Sequence, residues 1–377
     1  SGVFRPSQHK VASGGEAEWL KVPVRRDTVL FVRKNTPELV GRAAYVDAGY
    51  DDLFLPDLIW ELRPKPGVSA RWLGYWLESP AFQALIPSLA AGSSKSMVGI
   101  NRDSLLESPA VVPPHWEQER IAVTLGTWDE AISAMERLVA AKRRRARETL
   151  RLLVFGNQSM ADGGLSLSES RVAGAGQWPM GRIGDFASER SRLNRAGYQL
   201  PVLSCTKHAG LVLSHEYFAG RRVHAEDTSG YKIVNKGEFA YATNHLEEGS
   251  IGLQEIVECG LVSPMYTVFD VDESRIDRHF LISVLKTETY RRVFEMSTSS
   301  SVDRRGGLRW EEFAALPFAL PPLEQQRRIS ELLRVIQNDL ATSASSLERL
   351  RFQKRGLMQK LMTGGYCLSQ ASEFQPT

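Results

Sequence analysis

Apolar residues recur every three or four positions along two long stretches of this chain. In the later stretch they are Ile329, Leu333, Ile336, Leu340, Leu347, Leu350, Leu357 and Leu361, with Ser343 and Lys354 in the two remaining seats. In the earlier stretch they are Ile121, Leu125, Trp128, Ile132, Met135 and Val139, followed by Lys142, Ala146, Thr149 and Leu153. Alternating steps of four and three form a heptad seam, so each stretch predicts a long helix. Pro114 and Pro322 sit at the starts, where proline forfeits no helical hydrogen bond. Gly156 and Gly364 sit at the ends, where a left-handed residue closes a helix. Roughly 40 residues at ~1.5 Å each would give a rod of about 60 Å. A helix with one apolar seam must bury it. The simplest arrangement pairs the two helices antiparallel, with the globular regions preceding them at opposite ends; the alternative packs each helix on its own globular region.

The regions before the helices are mixed. Residues 29–32, 58–62, 238–242 and 266–269 have the composition of strands, and residues 71–85 and 278–294 the period of amphipathic helices. Gly- and Ser-rich stretches at residues 92–96 and 297–307 read as loops, and a Gly-, Ser- and Ala-rich stretch within 158–177 as a linker. The expected class is α+β.

The two halves match each other. A shift of 208 residues carries PPHWEQERI at Pro113 onto PPLEQQRRI at Pro321, with Gln118 on Gln326, Ile121 on Ile329 and Leu153 on Leu361. Upstream the same shift carries Phe31 onto Phe239, Pro56 onto Pro264, Leu77 onto Leu285 and Phe82 onto Tyr290, with no gap. This period is a whole domain with its connector, far longer than a solenoid repeat. The expected organisation is a first domain (1–112), a first spacer helix (113–157), a linker (158–177), a second domain (178–320), a second spacer helix (321–365) and a tail (366–377), with pseudo-two-fold symmetry. The second copy has a further segment, about residues 178–208, ahead of the point that matches Ser1, so the first domain reads as truncated at its start.

Hydrophobic content of 42% and charged content of 24% are those of a globular protein. No apolar run is long enough to span a membrane, and no signal peptide is evident. Cys205, Cys259 and Cys367 are far apart and form no metal or disulfide pattern, which makes a reducing cytoplasm the default location. A net charge of +3 permits nucleic-acid binding without requiring it.

At this point the chain resembles the specificity subunit of type I restriction-modification systems. LPPLEQQRRI, LMQKLMTG and PPHWEQERIA carry the resemblance, with GRIGDF near Gly181, YKIVNKGEFAY near Tyr231 and LVSPMYTVF near Leu261. It covers nearly the whole chain. His115 and Trp116 depart from the usual hydrophobic-acidic pair. The resemblance implies two target-recognition domains, each reading half of a bipartite site on double-stranded DNA, and two coiled-coil helices that set the spacing. It implies docking of two methyltransferase subunits, which carry S-adenosylmethionine and methylate adenine, and of motor and nuclease subunits. It implies that this chain binds no cofactor itself, with ATP and Mg²⁺ also on partners. A two-fold protein suits two half-sites on one duplex.

Phosphates attract cations and amides, and base edges attract forked donors and acceptors. On that ground the candidate DNA contacts in the second copy are Arg304 and Arg305 in the Ser-rich loop, Lys207 and His208 in the loop at 204–210, and Tyr241 and Asn244 after a strand. In the first copy they are Lys95, Arg33, Lys34 and Asn35. The run Lys142, Arg143, Arg144, Arg145 and Arg147 reads equally as a solvated face or as a surface for phosphates or an acidic partner. The chain carries no motif for amino methylation and no phosphate-binding loop for ATP. Pro56-Asp57 with Glu61 and Arg63 is a weak match to a nuclease carboxylate motif, lacking its lysine. His208, His215 and His224 lack metal-ligand spacing. A non-catalytic specificity subunit is the main expectation. The alternatives are a DNA nuclease, or a piece of a fused methyltransferase-nuclease, and a coiled-coil scaffold without DNA contact.

Overall fold

A computed structural model describes residues 3–15, 20–94, 97–155, 178–219, 225–299 and 307–366. The chain forms two compact units, residues 1–139 with 342–377, and residues 140–341. Each unit is a mixed α/β body that takes part of both long helices, His115–Phe155 and Leu323–Met362.

In the first unit the central strand Thr28–Val32 lies between Ala43–Val46 and Ile59–Leu62, both antiparallel to it. Val29, Phe31 and Ala43 pack beneath the helix Ala70–Glu78, whose Trp72, Trp76 and Leu77 are buried. Ile121, Ala122 and Leu125 of the first long helix enter this core, and so do Met358, Leu361 and Met362 of the second. The two helix segments run antiparallel. Asp129 bonds Lys354 at 2.6 Å, and Glu136, seven residues further along, bonds Arg351 at 2.6 Å.

In the second unit a four-stranded antiparallel sheet runs Ala187–Glu189, Tyr266–Val271, Phe239–Ala242, Ile251–Leu253. Its core holds Phe239, Tyr241, Phe269, Phe280, Phe294 and Phe313, and takes in Val154 and Phe155 from the first long helix with Ile329 and Leu333 from the second. Lys142 bonds Asp339 at 2.7 Å. Here too the helix segments are antiparallel, since 142 meets 339 while 154 and 155 share a core with 329 and 333. Packing on the own domain and packing on the other helix therefore coexist in each unit. Every seat of the heptad pattern is buried or half-buried: Ile121, Leu125, Val139, Ile329, Leu333, Ser343, Leu347 and Leu361 fully, and the others, among them Trp128, Ile132, Ile336, Leu340 and Leu350, in part.

The buried glutamines of the repeated motif explain how each long helix is fixed to its domain. Gln118 Oε1 accepts from Ser69 N at 2.8 Å, and its Nε2 donates to the carbonyls of Gly67 and Pro113 at 3.2 and 2.8 Å. Gln326 Oε1 accepts from Asp277 N at 2.7 Å, and its Nε2 donates to Arg275 and Pro321 at 3.0 and 2.8 Å. All four positions of the second set are those of the first moved by 208. Ser69 and Asp277 are themselves the N-caps of the domain helices, accepting from Trp72 N and Phe280 N.

Three expectations change. The stretch 71–85 is not one helix: Pro80 holds Ser79 extended (φ −66°, ψ 147°), ending the helix at Glu78, and Pro80–Gln83 forms a separate turn. The stretch 278–294 likewise divides into Arg278–Leu285 and Glu288–Ser299, with Thr287 Oγ1 donating to Val284 O and accepting from Tyr290 N. The gapless shift also fails in the sheets. Phe31 pairs with Ala43 and Trp60, whereas Phe239 pairs with Leu253 and Phe269, slips of two and one residues. What persists is a stacked aromatic pair, Phe31 on Trp60 and Phe239 on Phe269. Gly364 takes φ +70° just past the second long helix, the conformation its glycine was expected to supply. Gly156, Cys367 and the linker 158–177 lie outside the described residues.

Candidate nucleic-acid interface

In the second unit the strands Leu203–Thr206 and Gly210–Leu213 form a hairpin whose tip carries Lys207 and His208, both exposed. Thr206 Oγ1 accepts from Ala209 N at 3.0 Å and shapes the tip. The hairpin lies close on the strand Ile251–Leu253: a Cβ on Gly252 would stand 2.5 Å from Leu211 N, which only glycine avoids. Lys286, the C-cap of its helix, sits under the tip and donates to Lys207 O at 3.4 Å. Burial pushes its ammonium below the usual lysine range, and the neighbouring Cys205 partly opposes this.

Asn244 is exposed on the turn after Phe239–Ala242, and the chain folds back so that Ser250 N donates to His245 O. Gly307 packs on that turn. Its Cβ would fall 2.1 Å from Thr243 O, and Leu308 N donates to the same carbonyl at 3.0 Å. Arg304 and Arg305 lie outside the described residues, but the described chain resumes at Gly307, against Thr243 and Asn244. The turn also brings in Arg291, whose Nε donates to Glu247 O at 3.2 Å while Nη1 pairs with Glu288 at 2.8 Å. Lys207, His208, Asn244, Lys286 and Arg291 thus lie on elements that touch one another. Sequence reasoning missed Lys286 and Arg291, which an amphipathic pattern marks only as the polar side of a helix.

Tyr241 requires a correction. Its side chain is fully buried among Phe269 and Phe313, at ring separations of 6.3 and 4.7 Å, so it supports the face from beneath and cannot touch DNA. Desolvation holds its phenol well above the ordinary range.

In the first unit Lys34–Asn35 pairs with Met97–Ile100, which pairs in turn with Ala90–Ser94. Lys95 lies outside the described residues, between these last two strands. Lys34 is exposed, and Asn35 Oδ1 accepts from Thr36 N at 2.8 Å. Arg33 is engaged elsewhere: it bonds Asp57 at 2.6 Å and lies over the Trp60 ring at 5.7 Å. That tie gives both Arg33 and Asp57 an intramolecular partner, whereas Glu61 pairs with Arg63. On the first long helix Arg143, Arg144, Arg145 and Arg147 are exposed. Among the described residues no helix is long and apolar enough to cross a membrane.

No protein-family model matches the sequence, and no curated protein does. Solved structures do match. The S subunit of a type I restriction-modification system from M. genitalium superposes with a TM-score of 0.51 at 17% identity, covering 91% of this chain and 84% of that one. A chain from a structure of complex assembly and conformational transition in the type I R-M system gives 0.54 at 16% identity, covering 90% and 82%. With its two mixed α/β units and its two long helices, this chain has the fold of a type I restriction-modification S subunit.

Proposed function

We propose that this chain is the DNA specificity subunit of a type I restriction-modification complex. The observation that carries the reading is the repeated glutamine clamp, built with the same bonds in both halves of a chain with that fold. Two domains, each held to its long helix by the same clamp, suit the reading of two half-sites along one duplex. The exposed face with Lys207, His208 and Asn244 is the reader in the second half, with Arg304 and Arg305 as further contacts. In the first half Lys34, Asn35 and Lys95 are the candidate contacts. Lysine and arginine would hold phosphates or guanine, and asparagine would favour adenine. The long helices hold the spacing and dock methyltransferase subunits and a motor and nuclease subunit, which supply S-adenosylmethionine, ATP and Mg²⁺ and perform the chemistry. The exposed arginines at 143–147 suit phosphate or an acidic partner surface.

Mapping methylated adenines in cells with and without this chain tests the proposal. Methylation confined to a bipartite sequence, and lost without the chain, is the expected result. Methylation indifferent to sequence, or Mg²⁺-dependent cleavage by the isolated chain, would overturn it.

A further inference from the structure

The turn that carries Asn244 is tied to a second turn, which carries Met265. Ala242 and Tyr266 are the last and first residues of neighbouring antiparallel strands, and they pair with each other. One step beyond that pair Thr243 meets Met265. Its N–H donates to Met265 O at 3.4 Å, and its Oγ1 reaches Met265 O at 3.0 Å and Asn244 Oδ1 at 3.2 Å. One threonine thus joins the backbone of Met265 to the side chain of Asn244.

Both turns are held in place. In the second, Tyr266 N donates to Ser263 O at 2.9 Å, closing a turn with Pro264 at its second position, and Met265 N donates to Ser263 Oγ at 3.4 Å. Tyr266 Oη accepts from Cys205 N at 3.1 Å, which fastens this turn to the hairpin of Lys207. In the first, Leu308 N donates to Thr243 O at 3.0 Å and Gly307 packs closely on the same carbonyl.

Asn244 is exposed, and Met265 is 56% exposed. A lone exposed apolar side chain is ordinary on its own. What distinguishes Met265 is a fixed turn anchored to Asn244 on one side and to the Lys207 hairpin on the other. In the major groove an A·T pair presents adenine N7 and N6–H₂ and, beyond them, the C5-methyl of thymine. A carboxamide bonds the first two together, and an apolar side chain packs on the methyl. Methionine, unbranched and polarisable, adapts readily to such a surface. Asn244 and Met265 supply that amide and that apolar group as neighbours.

We infer that Asn244 and Met265 read adenine and thymine together. Asn244 bonds N6 and N7 of an adenine, and Met265 packs on the C5-methyl of the thymine in the same base pair or the next. The inference rests on the DNA-reading function proposed above and makes Met265 a specificity-determining residue of the second half.

The test uses the chain assembled with methyltransferase subunits, and synthetic duplexes of the bipartite sequence that methylation mapping yields. Each thymine is replaced in turn by deoxyuridine, which removes the C5-methyl and keeps every hydrogen-bonding group. One position should lose about fourfold in affinity, the worth of one buried methyl-sized group. Met265→Ala, at an exposed position, should bind the thymine and uracil duplexes equally there, and Met265→Leu should keep the preference. At the adenine of that pair or its neighbour, 7-deazaadenine removes N7. It should weaken binding by the unaltered chain about tenfold and binding by Asn244→Ala not at all. Indifference to every thymine methyl, or a methyl preference that survives Met265→Ala, would overturn the inference and leave the specificity function standing. The first of these is also the outcome if another part of the chain lies over Met265. A complex without sequence preference would overturn both.

Discussion

Replacing Gln326 by alanine tests the clamp. The side chain has no exposed surface and makes three bonds, to Asp277 N, Arg275 O and Pro321 O. Its loss orphans one buried N–H and two buried carbonyls and leaves a cavity. Each orphaned group costs about 1–3 kcal/mol, and a carbonyl tolerates the loss better than an N–H because water more readily reaches one of its two lone pairs. The expected destabilisation of the second unit is about 3 kcal/mol, roughly a hundredfold in the opening equilibrium. Native-state hydrogen exchange is the suitable assay, since the chain has two units and a single unfolding midpoint would blend them. The Asp277 amide should lose protection in Gln326→Ala while the Ser69 amide keeps it, and Gln118→Ala should do the reverse. Gln325→Ala, at an exposed neighbour, should change neither. A loss below about 1 kcal/mol with the Asp277 amide still protected would refute the reasoning.

Three further outcomes follow from the same geometry. Asp129 accepts from Tyr75 Oη at 2.7 Å and from Lys354, and burial followed by Asp129 holds the Tyr75 phenol well above its ordinary range. Asp129→Asn should therefore bring Tyr75 ionisation down in pH, seen by ultraviolet absorbance, and cost about 1 kcal/mol in the first unit. Burial pushes the Cys205 thiol up to about 12 from 9.0. The folded state holds that proton longer than the unfolded state does, so this contribution to stability is complete below pH 9 and is lost as pH rises towards 12. Alkylation of Cys205 at pH 8 should be far slower in the folded chain than in urea. In the assembled complex, Lys207→Ala should lower the slope of log affinity against log salt by about 1, leaving the preferred sequence unchanged if Lys207 meets phosphate.

The parts of this molecule legible in the sequence are those set by short-range rules. The heptad seats, Pro114, Pro322 and Gly364 depend on neighbours three or four residues away, and the recurrence of Gln118 at Gln326 marked a shared feature without saying what it bonds. The strand partners were not legible, because turn geometry lets Phe239 keep its stacked ring while the ladder slides. Tyr241 was misread because Phe239–Ala242 is buried on both faces, so alternation gives no outward side. Lys286 and Glu78 occupy the same seat in the repeat. One lies beneath a hairpin tip; the other accepts from Ala43 N at 2.6 Å. Nothing local to either residue distinguishes those uses.

The ion pairs between the long helices also bear on chain direction. In the first unit the first helix contributes the acids Asp129 and Glu136 and the second the bases Lys354 and Arg351; in the second unit Lys142 is the base and Asp339 the acid. Along either helix, then, these acids come before these bases. Reversing one strand of the pair would bring acid against acid at one end and base against base at the other. The pairs are partly exposed and each contributes little stability, but together they act as a polarity code. They penalise a parallel pairing, including one formed by two copies of the same helix, that the apolar seam alone would tolerate.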